Sequence, residues 1–323
     1  MILSLMRPPY QITSEIQKLI VSISEKTGAA ATLFLQRPPA ELRKKNRIKT
    51  IQSTLEIEGN TLSEKQITAL LENKRVTGLK SEITEVKNAI EVYNLLGKFK
   101  AFNLISFCKA HSILMKGLAE YPGYLRTKAV GIVKGKKLTH LPPPGSAVKA
   151  LMNDLFDYLK KDDEILLIKS CVFHYELEFI HPFMDGNGRM GRLWQTALLM
   201  RYNPVFEFLP TESLIKARQK KYYEALSASD KAGNSTTFIV FMLQIIDKAL
   251  EELLKTKNLI HTAKDRISNA KEIFGKSEFT RHDYMLAFKN ISTATASRDL
   301  MLACKEKVIK KTGDKRTAKY CFN

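Results

Sequence analysis

Between His181 and Arg192 the chain gathers an imidazole, a carboxylate, an amide, three glycines and two guanidinium groups: His181-Pro182-Phe183-Met184-Asp185-Gly186-Asn187-Gly188-Arg189-Met190-Gly191-Arg192. Each type has a task it can perform. His181 can take a proton near neutral pH. Asp185 is a lone hard carboxylate, and one carboxylate together with substrate phosphates is how Mg²⁺ is usually held. Gly186, Gly188 and Gly191 allow close backbone approach and positive φ, so with Asn187 they can turn a nest of N–H donors toward a phosphate. Arg189 and Arg192 lie three residues apart on the first turn of a following helix, where both can face one anion, and guanidinium matches phosphate oxygens through paired bonds. A base, a metal carboxylate, an anion cradle and charge neutralisation suit phosphoryl or nucleotidyl transfer to a hydroxyl.

The flanking sequence must hold this loop still. An apolar, helix-like run from Ile165 to Ile180 precedes it and another, Leu193 to Tyr202, follows. A polar turn between two buried helices leaves N–H groups unpaired where the second begins, which is where anions bind. Upstream the chain reads as helical throughout. Ile16, Leu19, Ile20 and Ile23 mark a first helix between Arg7-Pro8-Pro9 and Arg37-Pro38-Pro39. Glu41 to Glu58 predicts a second, with a basic front at Arg43 to Arg47 and a stop at Gly59-Asn60. Thr54 and Glu58, four apart, share a face of it. Ser63 with Gln66 fits a capping box opening Glu64 to Asn73. Glu82 to Leu96 is amphipathic, and Asn103 caps a further helix.

The helical pattern breaks at Gly117. Val130-Gly131-Ile132-Val133, a turn at Lys134-Gly135-Lys136, and Leu138 to Leu141 read as a β-hairpin ended by Pro142-Pro143-Pro144. A lone hairpin is marginal in water, so this one must lean on the body or serve as a flap. Helices resume at Val148 to Leu159, Leu214 to Leu226 and Thr236 to Leu254.

Residues 258–323 read as a separate unit: helices at Ala263 to Phe274, after Thr280, and at Thr293 to Lys305, then a strand pair joined through Thr312 to Arg316. Three helices and a basic hairpin make a winged helix-turn-helix pattern. The unit holds 14 Lys and Arg against 7 Asp and Glu, a net +7. DNA is therefore a candidate partner, with Ser292, Thr293, Thr295, Ser297 and Arg298 near a groove and Lys315 and Arg316 near phosphate. The whole chain, 323 residues with a net charge of +19, favours phosphate-bearing partners. Its four cysteines, Cys108, Cys171, Cys304 and Cys321, show neither zinc nor disulfide spacing. No uncharged apolar run approaches the roughly 20 residues that cross a bilayer. The expectation is a cytoplasmic protein without membrane partners, and the helical body offers surfaces for a homodimer.

At His181 to Arg192 the sequence resembles the Fic family, matching every fixed position of its signature H-P-F-x-[D/E]-G-N-G-R-x-x-R. The resemblance implies a mainly α fold: a Fic helical bundle with a β-hairpin flap, plus a small winged helix-turn-helix domain. It divides the chain into an N-terminal helical region (1–102) with an inhibitory helix at about 43–58, a catalytic core (103–257) and the winged unit (258–323). It implies a protein adenylyltransferase that moves AMP from ATP to a Ser, Thr or Tyr hydroxyl of a target protein, with Mg²⁺ bound. In that scheme His181 deprotonates the hydroxyl and Asp185 holds the metal. Gly186, Asn187 and Gly188 cradle the phosphates, and Arg189 and Arg192 bind the β- and γ-phosphates. Tyr222 and Tyr223 lie near the adenosine, and Val130, Gly131, Ile132 and Val133 form a flap that docks the target segment as an added strand. Thr54-Leu55-Glu56-Ile57-Glu58-Gly59 resembles the family's inhibitory motif [S/T]-x-x-x-E-[G/N], implying a Glu58–Arg192 pair that displaces ATP. Two other functions fit the resemblance: removal of AMP from modified proteins, with Glu58 positioning water, and a DNA-binding regulator carrying a Fic domain.

Overall fold

The structure is a computed structural model that describes residues 7–34, 40–134, 137–255, 262–288, 291–314 and 317–323. The chain divides into two compact units, one of residues 1–36 and 46–254, the other of residues 37–45 and 255–323.

The first unit is helical apart from one hairpin. Its helices are α1 (Ser14–Phe34), α2 (Ala40–Ile57, of which the part from Asn46 belongs here), α3 (Glu64–Leu71), α4 (Lys80–Asn94) and α5 (Leu104–Leu114). The hairpin β1 (Ile132–Lys134) and β2 (Lys137–His140) follows. Then come α6 (Gly145–Lys161), α7 (Leu166–Ile180), α8 (Asn187–Tyr202), α9 (Thr211–Ala217), α10 (Gln219–Ala232) and α11 (Thr236–Lys255). The capping signals act as read: Ser63 and Gln66 complete a reciprocal box on α3, and Asn103 accepts the Ser106 N–H at 2.8 Å on α5. Gly59 ends α2 with φ +99°.

Some bounds differ from the sequence reading: β1 begins at Ile132 rather than Val130 and takes in Lys134, and β2 runs from Lys137 to His140 rather than from Leu138 to Leu141. The run Leu214 to Leu226 is not one helix, because Arg218 leaves helical geometry (φ −119°, ψ 30°) and separates α9 from α10. A one-residue break leaves the apolar period in register, so periodicity alone passes over it. The hairpin is antiparallel with a register shift between Ile132 and Val133. Part of its expected turn, residues 135–136, lies outside the described residues, as does Arg37-Pro38-Pro39.

The centre of this unit is the packed pair α7 and α8. Residues 167–175 of α7 and 189–199 of α8 are buried. Aromatic rings knit the pair to its neighbours: Phe107 of α5 meets Phe156, Phe173, Phe183 and Trp194 at centroid distances of 5.1–5.9 Å. Among the described residues no helix is long and apolar enough to cross a membrane.

The second unit contains α12 (Ala263–Phe274), β3 (Phe279–Thr280), α13 (Arg281–Ala287), α14 (Thr293–Lys305), β4 (Ile309–Thr312) and β5 (Lys319–Phe322). The expected strand pair is there, and β3 adds to it, giving the antiparallel order β3-β5-β4. Two residues are too few to show alternation in sequence. Phe279 still earns its place by packing on Phe274 (4.4 Å) and Phe322 (5.5 Å). A buried carboxylate, Asp299, accepts Arg266 Nε at 2.6 Å, Arg266 Nη2 at 2.9 Å and the Tyr284 hydroxyl at 3.2 Å, so its charge is fully partnered. Lys315 and Arg316, expected to meet phosphate, lie outside the described residues.

Candidate active site

The loop between α7 and α8 is a short, tightly tied connection. Helix α7 ends at His181, whose backbone is left-handed (φ 50°, ψ 62°). A non-glycine residue rarely takes that conformation, and such strain concentrates at functional positions. Phe183 drops into the core and stacks on the His111 ring at 3.6 Å. Asn187 then closes the loop from the other side. Its Oδ1 accepts the Phe183 N–H and its Nδ2 donates to the Phe183 carbonyl, both at 2.9 Å. The Asn187 side chain is thus spent on loop shape, leaving its main-chain N–H for a ligand.

Helix α8 starts without a side-chain cap. Its N-cap is Gly186, at φ 83°, a position that a side chain would strain and that would also drive a Cβ to 2.7 Å from Met115 Sδ. The absence of a cap is shared with α4, α6, α7, α9 and α10; what sets α8 apart is a left-handed glycine at the N-cap beside a glycine-rich first turn. The first N–H groups of α8, carrying the positive end of the helix dipole, are therefore available to an anion.

What stands there is a carboxylate of the chain itself. Glu58, just past the end of α2, accepts from Arg192 Nη2 at 2.6 Å, and Thr54 accepts from Nε through Oγ1 (2.9 Å) and from Nη2 through its carbonyl (3.1 Å). The Arg192 side chain is 2% exposed and that of Glu58 is 29% exposed. Burial works against the charge on Arg192, yet Glu58, aided by Tyr222 and Glu178, outweighs it and the guanidinium pKa ends above its usual value. A Cβ placed on Gly188 would lie 2.9 Å from Glu58 Oε1, which puts that oxygen against the first turn of α8. Glu58, Thr54, Gly188 and Arg192, scattered over more than a hundred residues of sequence, are thus brought together.

Arg189 is placed differently. Its Nη1 pairs with Glu85 of α4, and its Nη2 donates to Asp185 Oδ1 at 2.9 Å. Asp185 Oδ1 also accepts the Gly186 N–H at 2.6 Å. Tyr222 is fully buried with its hydroxyl 3.0 Å from His174 Nε2, whereas the neighbouring Tyr223 is exposed. Val130 and Gly131 precede β1, and Ile132 and Val133 lie in it, paired with β2.

Several residues that the sequence reading did not single out shape this site. Arg126 is buried behind His181 and donates to four main-chain carbonyls: His181 (2.6 Å), Pro143 (2.7 Å), Lys128 (2.8 Å) and Ile180 (3.0 Å). Its own N–H reaches the Pro182 carbonyl at 2.8 Å. It so ties the end of α7 to the segment leading into the hairpin. His111 accepts the Gly123 N–H on Nδ1 (2.7 Å), which leaves Nε2 to donate to the Asp185 carbonyl (3.0 Å). Burial lowers its pKa to about 4, so it is a neutral strut. His174, on the far side, is likewise kept neutral by burial, its pKa lowered to about 3. Its Nδ1 faces Gln195 Oε1 at 2.6 Å. Glu178 lies near Gly188 and Gly191, beside the Tyr222 hydroxyl (3.4 Å). A histidine inside an apolar helix was the available signal for His111; nothing local marks Arg126 or Glu85.

With this geometry in hand, comparison with known proteins is direct. The Fic/DOC family model matches residues 101–199. A crystal structure of a Fic family protein from Desulfovibrio desulfuricans G20 superposes with a TM-score of 0.76 at 38% identity, covering 98% of both chains. Fic-1 from C. elegans shares the fold over 75% of this chain and 73% of its own (TM-score 0.62, 19% identity). A protein adenylyltransferase Fic of Culex quinquefasciatus is 29% identical over 259 residues, 76% of this chain and 49% of its own. That of Aedes aegypti is 30% identical over 227 residues, 66% of this chain and 43% of its own. The chain thus spans about half the length of the curated relatives it matches.

Proposed function

This chain belongs to the Fic/DOC family, and on that premise we propose that it is a self-inhibited protein adenylyltransferase, moving AMP from ATP to a hydroxyl of a target protein and releasing pyrophosphate. The observation that carries the reading is the Glu58 carboxylate 2.6 Å from Arg192 Nη2, beside the uncapped start of α8. A carboxylate held by a buried guanidinium at a helix N-terminus occupies the place of a phosphate. The names of the Culex and Aedes relatives, both protein adenylyltransferases, support the same reaction.

In this scheme the nucleotide lays its phosphates along the N–H groups of Asn187 and Gly188, and its terminal phosphate takes Arg192 from Glu58. His181, at the strained end of α7, accepts the proton of the incoming hydroxyl as its oxygen attacks the α-phosphorus. The bond from that phosphorus to the bridging oxygen breaks, and pyrophosphate leaves. Arg126 and His111 hold the loop so that base and cradle keep their distance. Tyr223 offers an exposed ring at the nucleotide's base. The main chain of Val130 to Val133 accepts the target segment by strand addition.

Asp185 fits Mg²⁺. Its Oδ1 is occupied by the Gly186 and Arg189 donors, its side chain is 61% exposed, and Oδ2 has no partner among the described residues. One carboxylate with nucleotide phosphates is sufficient for this ion, and among the described residues no cluster of three or more His, Cys, Asp or Glu forms a cage of its own. When bound, Mg²⁺ neutralises phosphate charge and fixes phosphate geometry.

The second unit supports a winged reading through its three helices and three-stranded sheet. α14 exposes Arg298 together with Met301 and Leu302, a mixture that favours a protein surface over a phosphate backbone as its partner.

The test of the catalytic assignment is incubation with α-³²P-labelled ATP and cell lysate. Protein-bound label that is lost in His181→Ala supports it; equal label in that variant overturns it.

A further inference from the structure

The other arginine of the loop, Arg189, is held by a carboxylate too, and that carboxylate sits in a different setting from Glu58. The Arg189 side chain is 8% exposed and that of its partner Glu85 is 12% exposed. Glu85 is itself fixed: its Oε2 accepts Asn60 Nδ2 at 2.8 Å. Asn60 is anchored in turn, since its N–H reaches the Leu55 carbonyl at 3.1 Å and its Oδ1 accepts the Leu62 N–H at 3.1 Å. Arg189 spends its remaining Nη on Asp185 Oδ1, the oxygen that also takes the Gly186 N–H. The result is a chain of contacts, Asn60 to Glu85 to Arg189 to Asp185, running from the exit of α2 to the exposed carboxylate of the loop.

We propose that Glu85 is a positioning residue for Asp185: by holding Nη1 of Arg189 it turns Nη2 onto Asp185 Oδ1, and so presents Oδ2 to a divalent cation. This rests on the functional reading above, and it reassigns Arg189 from phosphate ligand to keeper of the metal carboxylate. Three physical points carry it. A planar fork with Nη1 held by Glu85 and its stem buried has little freedom left, so Glu85 helps set the direction of Nη2. A carboxylate with one oxygen saturated by two donors offers the second in a defined direction, the outer-shell arrangement that orients metal ligands. And a buried, hydrogen-bonded ion pair is costly to open, so Glu85 is poorly placed to be exchanged for a phosphate in each turnover, unlike the more exposed Glu58.

The test compares Glu58→Gly with Glu58→Gly/Glu85→Ala and Glu58→Gly/Glu85→Gln. ATP affinity is measured by calorimetry at a series of Mg²⁺ concentrations and in EDTA, alongside AMP transfer. The account expects Glu85→Ala to raise the Mg²⁺ concentration giving half-maximal tightening of ATP binding by about tenfold, as loss of an outer-shell partner does. Affinity in EDTA stays level, and transfer recovers at high Mg²⁺. Glu85→Gln, nearly isosteric, keeps an acceptor and shows a smaller shift in the same direction, as does Asn60→Ala; these two keep the question open to measurement if the alanine variant does not fold. A rise in metal-free ATP affinity in Glu85→Gln would instead make Glu85 a competitor of phosphate and overturn the proposal. An unchanged Mg²⁺ dependence with only a lower melting temperature would overturn it in favour of a structural pair. Since the binding arm reads metal dependence without turnover, failure of AMP transfer alone counts against the functional reading and leaves this one decided by calorimetry.

Discussion

Arg126 offers a direct measure of how the fold holds the proposed base, His181, because it never touches the proposed substrates. One guanidinium serves the carbonyls of Lys128, Pro143, Ile180 and His181 at 2.6–3.0 Å. Truncation to alanine leaves those acceptors facing a void, at roughly 1–3 kcal/mol for each buried group left unmatched. Taking the low end for all four gives about 4 kcal/mol. The arginine's own desolvation, seen in the lowering of its pKa by burial, is recovered on truncation, so the net loss lies somewhat below that sum. That is a large part of the roughly 5–15 kcal/mol that a domain has to lose. Arg126→Lys keeps a charge and three donors in place of five, so it should lose about half as much. The assay is chemical denaturation followed by fluorescence of Trp194, the one tryptophan of the chain, carried by α8 and buried against Phe107 of α5 in the first unit. In a Glu58→Gly background, Arg126→Lys should also slow AMP transfer by about 10²-fold while ATP affinity changes little, since displacement of a base by an ångström is costly to the chemical step alone. A loss below about 1 kcal/mol for Arg126→Ala, or equal losses for Ala and Lys, would refute the carbonyl-clamp reasoning.

Two other outcomes follow from the same geometry. His111 has a folded-state pKa of about 4 against about 6.5 unfolded, so the unfolded chain binds the proton more readily. Its contribution is therefore complete above pH 6.5 and is lost as pH falls toward 4, about 3 kcal/mol in all; thermal midpoints at pH 7 and pH 4.5 should lie further apart in the wild type than in His111→Gln, and parallel shifts would contradict this. Gly191→Ala would place its Cβ 2.7 Å from His174 Cδ2 and 3.1 Å from Glu178 Oε1, whereas the same change at Gly28 in α1 meets nothing within 4 Å. The first should destabilise by about 1–3 kcal/mol and the second stabilise by roughly 0.5–1 kcal/mol, read as opposite shifts in melting temperature.

Much of the fold was legible in the sequence because its signals are local. Ser63 with Gln66, Asn103, Thr280 and Ser292 mark helix starts through side-chain oxygens that act within three residues, and the structure has each of them as a cap. The twelve residues of the loop were legible because their chemistry is compressed into one turn. Beyond that the signals are long-range. Arg189 carries the same side chain as Arg192, yet Glu85, 104 positions upstream, takes it for Asp185. No periodicity links those two positions. Tyr222 and Tyr223 are adjacent, but α10 turns one into the core and the other outward, a difference settled by the neighbours His174 and Phe238. Asn187 by type suits a nest of N–H donors, and its type does not show that the side chain also closes the loop on Phe183.

The central claim is that Glu58 holds the place of a phosphate on Arg192. It is tested most directly by comparing wild type and Glu58→Gly with α-³²P-labelled ATP, Mg²⁺ and cell lysate, with Glu58→Gly/His181→Ala as the control. The account predicts a rise in protein-bound label of at least about tenfold on removal of Glu58, as freeing a phosphate from competition with a charged partner requires, and its disappearance with His181→Ala. Label in Glu58→Gly no greater than in wild type, while the variant binds ATP and remains folded, would contradict it.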